Sequence, residues 1–282
     1  MIPISEVEVP EDYQFLQPIV DRNLIRIGNK FDGGYVVSQE VISKTTKLVS
    51  IGYGWESSFE ICVIRNYPKI KCIIYDDAAN MKSWIKPWRK FPRFFFGSLA
   101  NGEIVSPRQF SWFWPSFDTA RMIVKYPRRI TYKNARVVGL SVSKNELSLT
   151  NILSAFDNSE SVYLKIDIEG YEYEIIDQII LSEACLIGMT IEFHELAVMK
   201  MKFISCMKKL QTKFVVNHLH PNNHRDVING FPDVIEICFI SKKLLLGDQL
   251  LRQESRIDAD SPNNRCRPDY NLIFKSLNEG LK

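Results

Sequence analysis

Leu164-Lys165-Ile166-Asp167-Ile168-Glu169-Gly170-Tyr171-Glu172 decides the fold. Residues 162–168 form an apolar strand interrupted only by Lys165 and Asp167, and the strand runs straight into two carboxylates and a glycine. A helical pattern follows at once, with Ile175, Ile176, Ile179 and Ile180 on one face. In an open α/β sheet ligands sit beyond the carboxyl ends of the strands, so acids placed there read as site residues. A polar strand end would account for one such acid. Asp-x-Glu-Gly in a strand-to-helix turn, matched by acids after other strands, points to a site.

Working outward, apolar strands alternate with helical patterns. The strand 47–51 ends in Gly52-Tyr53-Gly54-Trp55-Glu56, and a helix begins near Ser57, where Ser57 and Glu60 have the spacing of a capping box. The strand 70–75 ends in Asp76-Asp77. A third, 135–141, leads to a helix near 149–156, and the fourth carries the opening motif. The fifth, 188–195, ends in Glu192-Phe193-His194-Glu195 and precedes a long helix. Strands at 214–219 and 234–240 flank His218-Leu-His220-Pro-Asn-Asn223. This alternation implies a mostly parallel sheet with helices on both faces. Before it, residues 24–37 read as a hairpin turning at Asp32-Gly33-Gly34. The organisation expected is an N-terminal segment with the hairpin (1–46), a sheet domain (47–246) with an insertion at about 81–133, and a polar tail (247–282) packed on the domain.

Composition bounds the class. The chain has 282 residues, 45% hydrophobic, with a formal charge of +3. That charge is too small to argue for nucleic acid by itself. No apolar run approaches the roughly 18 residues that span a bilayer, and the N-terminus lacks the basic and apolar regions of a secretory signal. The six cysteines form no Cys-x-x-Cys pair and mostly lie within apolar patterns, as buried thiols in a reducing compartment would. The expectation is a cytoplasmic protein without a zinc site.

A strand ending in a glycine turn, followed by a strand ending in an acid, suits an adenosyl cofactor. The glycines admit close approach of the backbone, and the acid takes the two ribose hydroxyls. The third glycine of a dinucleotide fingerprint is absent, since Ser57 stands there, and there is no Walker loop. Without a pyrophosphate cradle, S-adenosylmethionine fits better than NAD or ATP.

Leu164-Lys-Ile-Asp-Ile-Glu-Gly-x-Glu172 resembles the signature of the FkbM family of class I methyltransferases. Arg26-Ile-Gly-x-x-Phe-Asp-Gly-Gly-Tyr35, Thr190-Ile-Glu-Phe-His-Glu195, His218-x-His-x-Asn-Asn223 and Pro232-Asp-Val-Ile-Glu236 are similar to other segments of that family, and the likeness spans about residues 22–242 together with Asn263-Asn264 and Arg267-Pro-Asp-Tyr270 of the tail. The resemblance implies a Rossmann-like, seven-stranded sheet and S-adenosylmethionine-dependent methyl transfer, usually to a hydroxyl of a sugar or natural product. It departs from the family in two respects: Ser50 and Ile51 stand where many class I enzymes carry an acid, and the insertion is long.

On this reading Gly52, Tyr53 and Gly54 frame the methionine end of the cofactor. Asp76, with Asp77 beside it, serves the ribose, and Gly139-Leu140-Ser141 meets the adenine. Asp167, Glu169, Glu192 and His194 form the catalytic group. His194 is the natural base for an acceptor hydroxyl because its ordinary pKa lies near neutrality. Asp167 is base, acceptor anchor or partner of the cofactor's ammonium, and Glu169 caps or orients. Asp167, Glu192 and His194 are also a candidate set for one divalent cation. The loop bearing His218, His220 and His224 is assigned to substrate contact rather than metal.

The insertion interleaves aromatics such as Trp84, Trp88, Phe94, Phe95 and Trp112 with Lys86, Arg89, Arg93 and Arg121. It reads as its own small core, as a sugar-stacking surface, or as a single-strand nucleic-acid surface. The acceptor that the family resemblance implies is a small molecule or glycan. The alternatives are a nucleic-acid 2′-O-methyltransferase, against which stands the absence of lysine within 190–195, and a non-catalytic binding module, against which stand the four strand-end acids.

Overall fold

The computed structural model describes residues 2–52, 57–77, 121–140, 143–157, 159–182 and 185–275. Along the chain the strands are β1 Ile4–Glu8, β2 Leu24–Ile27, β3 Tyr35–Ser38, β4 Lys47–Ile51, β5 Lys71–Tyr75, β6 Ile130–Lys133, β7 Arg136–Val138, β8 Glu146–Ser148, β9 Val162–Ile166, β10 Leu186–Phe193, β11 Phe214–Pro221, β12 Val227–Ile228, β13 Phe231–Pro232, β14 Ile235–Ser241 and β15 Asp269–Ile273. The helices are α1 Gln39–Lys44, α2 Ser58–Asn66, α3 Leu149–Leu153, α4 Ile176–Leu181 and α5 Leu196–Leu210.

Seven strands make the central sheet in the order β11-β14-β10-β9-β4-β5-β6. All pair in parallel except β14, which runs against both β10 and β11. This is the class I methyltransferase architecture. The strands read as near-continuous apolar runs because both faces are covered. Period-two alternation sends Val49, Ile51, Leu164 and Ile166 into the core under α3, α4 and α5, and Leu48 and Tyr163 into the core under α1 and α2. Helix α5 buries Phe203, Met207 and Leu210 and places Lys208 and Lys209 in its last turn, where they complement the helix dipole. Among the described residues no helix is long and apolar enough to cross a membrane. None of the six cysteines is disulfide-bonded; four are buried, Cys62 is half-buried and Cys266 exposed.

The fold corrects four details of the sequence reading. The third parallel strand is β6, at residues 130–133, inside the stretch assigned to the insertion. Residues 136–138 instead pair with β8, outside the sheet. The hairpin turns through a loop at 28–34, closed by Arg26, whose guanidinium donates to the carbonyls of Asn29 and Phe31, rather than through a tight turn. Ser57 makes no side-chain capping bond, and Glu60 turns inward to Ser50. Most of the insertion, including Trp84 to Phe96 and Trp112 to Trp114, lies outside the described residues.

The chain rises from β4 outward to β5 and β6, then returns to β9 on the other side of β4. That reversal is the topological switch point at which open α/β sheets bind ligands. Gly52 and Asp167 meet there. Gly52 has φ +74, and a Cβ on it would lie 1.6 Å from the Asp167 carbonyl oxygen, so no other residue fits.

Candidate active site

A cavity of about 820 Å³ opens at the carboxyl ends of β4, β5, β9 and β10. Its walls include Gly52, Asp76, Asp77, Asp167, Glu169, Glu192 and His194, so the acids singled out at the ends of three different strands share one space. Alternation along the strands explains the convergence. Lys165 and Asp167 on β9 and its extension, and Thr190, Glu192 and His194 on β10 and its extension, fall at every second residue and so share a face.

His194 is the centre of the group. Its Nδ1 lies 2.9 Å from Oε1 of Glu172, a wholly buried carboxylate that also accepts the backbone N–H groups of Ile168 and Gly170 at 3.1 Å. Those two bonds shape the turn after β9, in which Glu169 (φ 54) and Gly170 (φ 101) are both left-handed. With Nδ1 committed, Nε2 faces Glu169 at 3.6 Å, Glu192 at 3.9 Å and Asp167 at 4.0 Å. Burial opposes protonation of His194, but Glu172, Glu192 and Asp167 outweigh it and raise the pKa to about 9.

Around it the carboxylates are tied down by donors. The Tyr35 hydroxyl, brought by β3, reaches Asp167 at 3.2 Å and Glu192 at 3.4 Å. Burial and those same acids hold Tyr35 well above the ordinary phenol range, so it stays a donor. Asn222 donates to Glu192 at 2.7 Å. Burial pushes Glu192 well up from the carboxylate range, and Asp167 and Glu236 add to the rise. The buried ammonium of Lys165 donates to the Gly52 carbonyl at 2.9 Å and to Asp167 at 3.2 Å, linking the ends of β4 and β9. Burial disfavours that charge, but Asp167, Glu60 and Glu192 more than offset it and its pKa is raised. One atom each from Asp167, Glu192 and His194 lies within 4.8 Å of the others, a geometry open to a metal ion.

On the other side of the switch point Asp76 is 7% exposed, and Asp77 stands beside it in the cavity wall. Ala135, Arg136 and Val137 line this side, with the Arg136 guanidinium 4.3 Å from the centre of the Tyr171 ring. Leu140, assigned to the adenine from sequence, is 80% exposed and not among the lining residues. Tyr53, Gly54 and Ser141 lie outside the described residues.

The histidine loop is largely strand. His218 and His220 are buried in β11, with their Nε2 atoms 2.9 Å from Asp260 and 3.1 Å from Asp269 of the tail. They are fastened to the tail and do not face the cavity; of the loop, Asn222, His224 and Arg225 line it. The sequence reading quoted Tyr35, Lys165, Glu172 and Asn222 within the segments that carry the family resemblance but gave them no role. The spacing of Lys165 and Asp167, two apart in an apolar strand, was a further signal, since it puts both on one face.

A family model, the methyltransferase FkbM domain, matches residues 102–224. The match contains Asp167, Glu169, Glu192 and His194, while Gly52 and Asp76 precede it. No curated protein matches the chain. Among solved structures the chain is similar to a predicted O-methyltransferase from Agrobacterium tumefaciens, at 12% identity and TM-score 0.35, covering 82% of this chain and 97% of that one. It is also similar to the Methanococcus jannaschii fibrillarin pre-rRNA processing protein, at 10% and 0.35, covering 71% and 68%. A third likeness is to precorrin-6y C5,15-methyltransferase from Geobacter metallireducens, at 13% and 0.35, covering 72% and 87%. These likenesses are too distant to bear on the chemistry; the strand order and the family match do. The central sheet thus has the class I methyltransferase strand order, and residues 102–224 are similar to the methyltransferase FkbM domain, which together support an S-adenosylmethionine-dependent methyltransferase.

Proposed function

We propose that the protein transfers a methyl group to a hydroxyl of a sugar, glycan or related small molecule, with His194 as the general base. The observation that carries this reading is the Glu172–His194 pair, which leaves Nε2 facing the cavity beside Asp167 and Glu192. An alcohol must lose its proton near the transition state, and a histidine oriented by a buried carboxylate is built to accept it and to be stabilised when charged.

S-adenosylmethionine, when bound, supplies the methyl group as an electrophilic sulfonium carbon. The residues present fit that group: the wall is rich in carboxylates, which suit a cation, and a buried acid, Asp76, stands where paired hydroxyls need an acceptor. Gly52 holds the methionine end, Asp76 the ribose, and Ala135 to Val137 the base. In-line displacement is governed by positioning. Lys165 fixes Gly52 and Asp167 relative to each other, Tyr35 fixes Asp167 and Glu192, and those two acids anchor neighbouring hydroxyls of the acceptor. We read 47–246 as the methyltransferase domain, with the hairpin and the tail packed on it.

Titration of the protein with S-adenosylhomocysteine by calorimetry, paired with Asp76→Ala, tests the cofactor end. Loss of a charged acceptor costs about 1.5–3 kcal/mol, or roughly 10- to 100-fold in affinity. Unchanged affinity in a folded Asp76→Ala protein removes Asp76 from the site. Transfer of labelled methyl to sugars or to oligoribonucleotides then separates the glycan reading from a nucleic-acid one.

A second reading has its own observation, the donor set of Asp167, Glu192 and His194. A divalent cation there would lower the pKa of the acceptor hydroxyl. Methyl transfer that EDTA abolishes and Mg²⁺ or Mn²⁺ restores supports it; EDTA-resistant transfer leaves His194 as the base.

A further inference from the structure

Glu60 is on the first turn of α2 and only 1% exposed, yet it belongs to the cavity wall. Oε1 accepts the hydroxyl of Ser50, itself wholly buried on β4 two residues before Gly52. Oε2 is buried with no hydrogen-bond partner among the described residues. The residues beside it on α2, Phe59, Ile61, Val63 and Ile64, are core. Buried carboxylate oxygens are normally satisfied, and one left bare in a cavity wall marks the place of a donor that arrives with a ligand. Lys165 acts on Glu60 only through its field. Its hydrogen bonds go to Gly52 and Asp167.

We propose that Glu60 Oε2 receives the ammonium of the cofactor's methionine end, and that this contact makes the site select adenosyl ligands that carry an amino acid. The proposal rests on the cavity being the S-adenosylmethionine site. Asp76, at the end of β5, takes the ribose on that reading, so the amino-acid end extends toward the β4 turn, where Ser50, Gly52 and Glu60 lie. An ammonium is the group on the ligand that an ionised oxygen binds most strongly, because the hydrogen bond is charge-assisted. Burial excludes the water that would otherwise weaken it.

The test uses the full chain and three ligands: S-adenosylhomocysteine, its desamino analogue, and 5′-methylthioadenosine, which lacks the whole amino-acid end. The wild type is expected to bind S-adenosylhomocysteine about 10- to 100-fold more tightly than the desamino analogue. Glu60→Gln is expected to remove most of that preference while leaving affinity for the other two ligands unchanged. Equal losses for all three, or a preference that survives in Glu60→Gln, give Glu60 a structural role only and overturn the proposal. If Glu60→Gln does not fold, Glu60→Asp keeps the charge but withdraws it by one methylene. The preference should then fall several-fold, and an unchanged ratio overturns the proposal equally. A folded wild type that binds none of the three refutes the cofactor reading itself, an outcome distinct from loss of selectivity alone.

Discussion

Replacing Glu172 by Gln should strip His194 of the group that holds it charged. Glu172 is wholly buried, and its Oε1 lies 2.9 Å from His194 Nδ1. An amide of the same size keeps an acceptor for the N–H groups of Ile168 and Gly170 but removes the negative charge. With His194 at about 9 in the wild type, about one ring in a hundred is neutral at pH 7. The variant should titrate at least one unit lower, toward the ordinary 6.5; each unit corresponds to about 1.36 kcal/mol of lost preference for the charged ring. The direction is fixed: losing a nearby anion favours the neutral imidazole. Side-chain NMR reads this directly, since the chain has four histidines and His194→Gln identifies the signal. The same pair acts on stability. A folded-state pKa above the unfolded value stabilises fully below about pH 6.5, and that stability is lost as pH rises through about 9. Glu172→Gln should flatten that slope, and where His194 is the base it should bring the rising limb of the rate profile to lower pH. A wild-type midpoint at or below 6.5, or one that Glu172→Gln leaves in place, refutes the reasoning.

Two further outcomes follow from the geometry. Gly52→Ala puts a Cβ 1.6 Å from the Asp167 carbonyl oxygen at a φ of +74. It should cost more than about 3 kcal/mol, read as a large fall in melting temperature, and a near-normal melt would deny the close approach of Gly52 to Asp167 at the ends of the parallel strands β4 and β9. His220 is buried, which opposes its charge, but Asp269 and Glu236 raise its pKa to about 10. Its contribution to stability is therefore complete below about pH 6.5 and fades as pH rises toward 10. Denaturant unfolding of Asp269→Asn should lose much of that pH dependence, and an unaltered dependence would show that the pair is not coupled to folding.

The parallel core strands were legible because burial on both faces writes uninterrupted apolar runs, as in Leu48-Val49 and in Val162 to Leu164. The edge strand was not. Ile130-Thr-Tyr-Lys133 has one fully buried residue and reads weakly beside Ala135-Arg-Val-Val138, whose stronger apolar run pairs with β8 instead. The strand-end acids were visible one at a time, and their convergence follows from strand order. What holds them in place was hidden by distance along the chain. Tyr35 comes from 132 residues before Asp167, and Asn222 from 30 residues beyond Glu192. His218 and His220 read as a polar loop for the same reason: their carboxylate partners are 42 and 49 residues downstream. Glu60 had a local explanation, a capping box with Ser57, and a helix-start motif gives no hint that its acid turns toward the sheet.

The clasp of the tail on β11 orders the events of biosynthesis. In a chain emerging from the ribosome, β11 and β14 are free to join the sheet before Asp260 and Asp269 have left the exit tunnel, so two histidines wait on that face without their carboxylates. Asn263, which donates to Glu236 at 2.6 Å beside β10, arrives equally late. β1 waits longer still, because its partner β15 lies at the far end of the described chain. The entropy of closing so large a loop grows only logarithmically with its length, so the delay is one of timing more than of thermodynamic cost. The sheet is thus complete before the polar shell around Glu236 is, and a chain halted between β14 and β15 would hold all seven strands and every lining residue of the cavity without the tail that fastens β11.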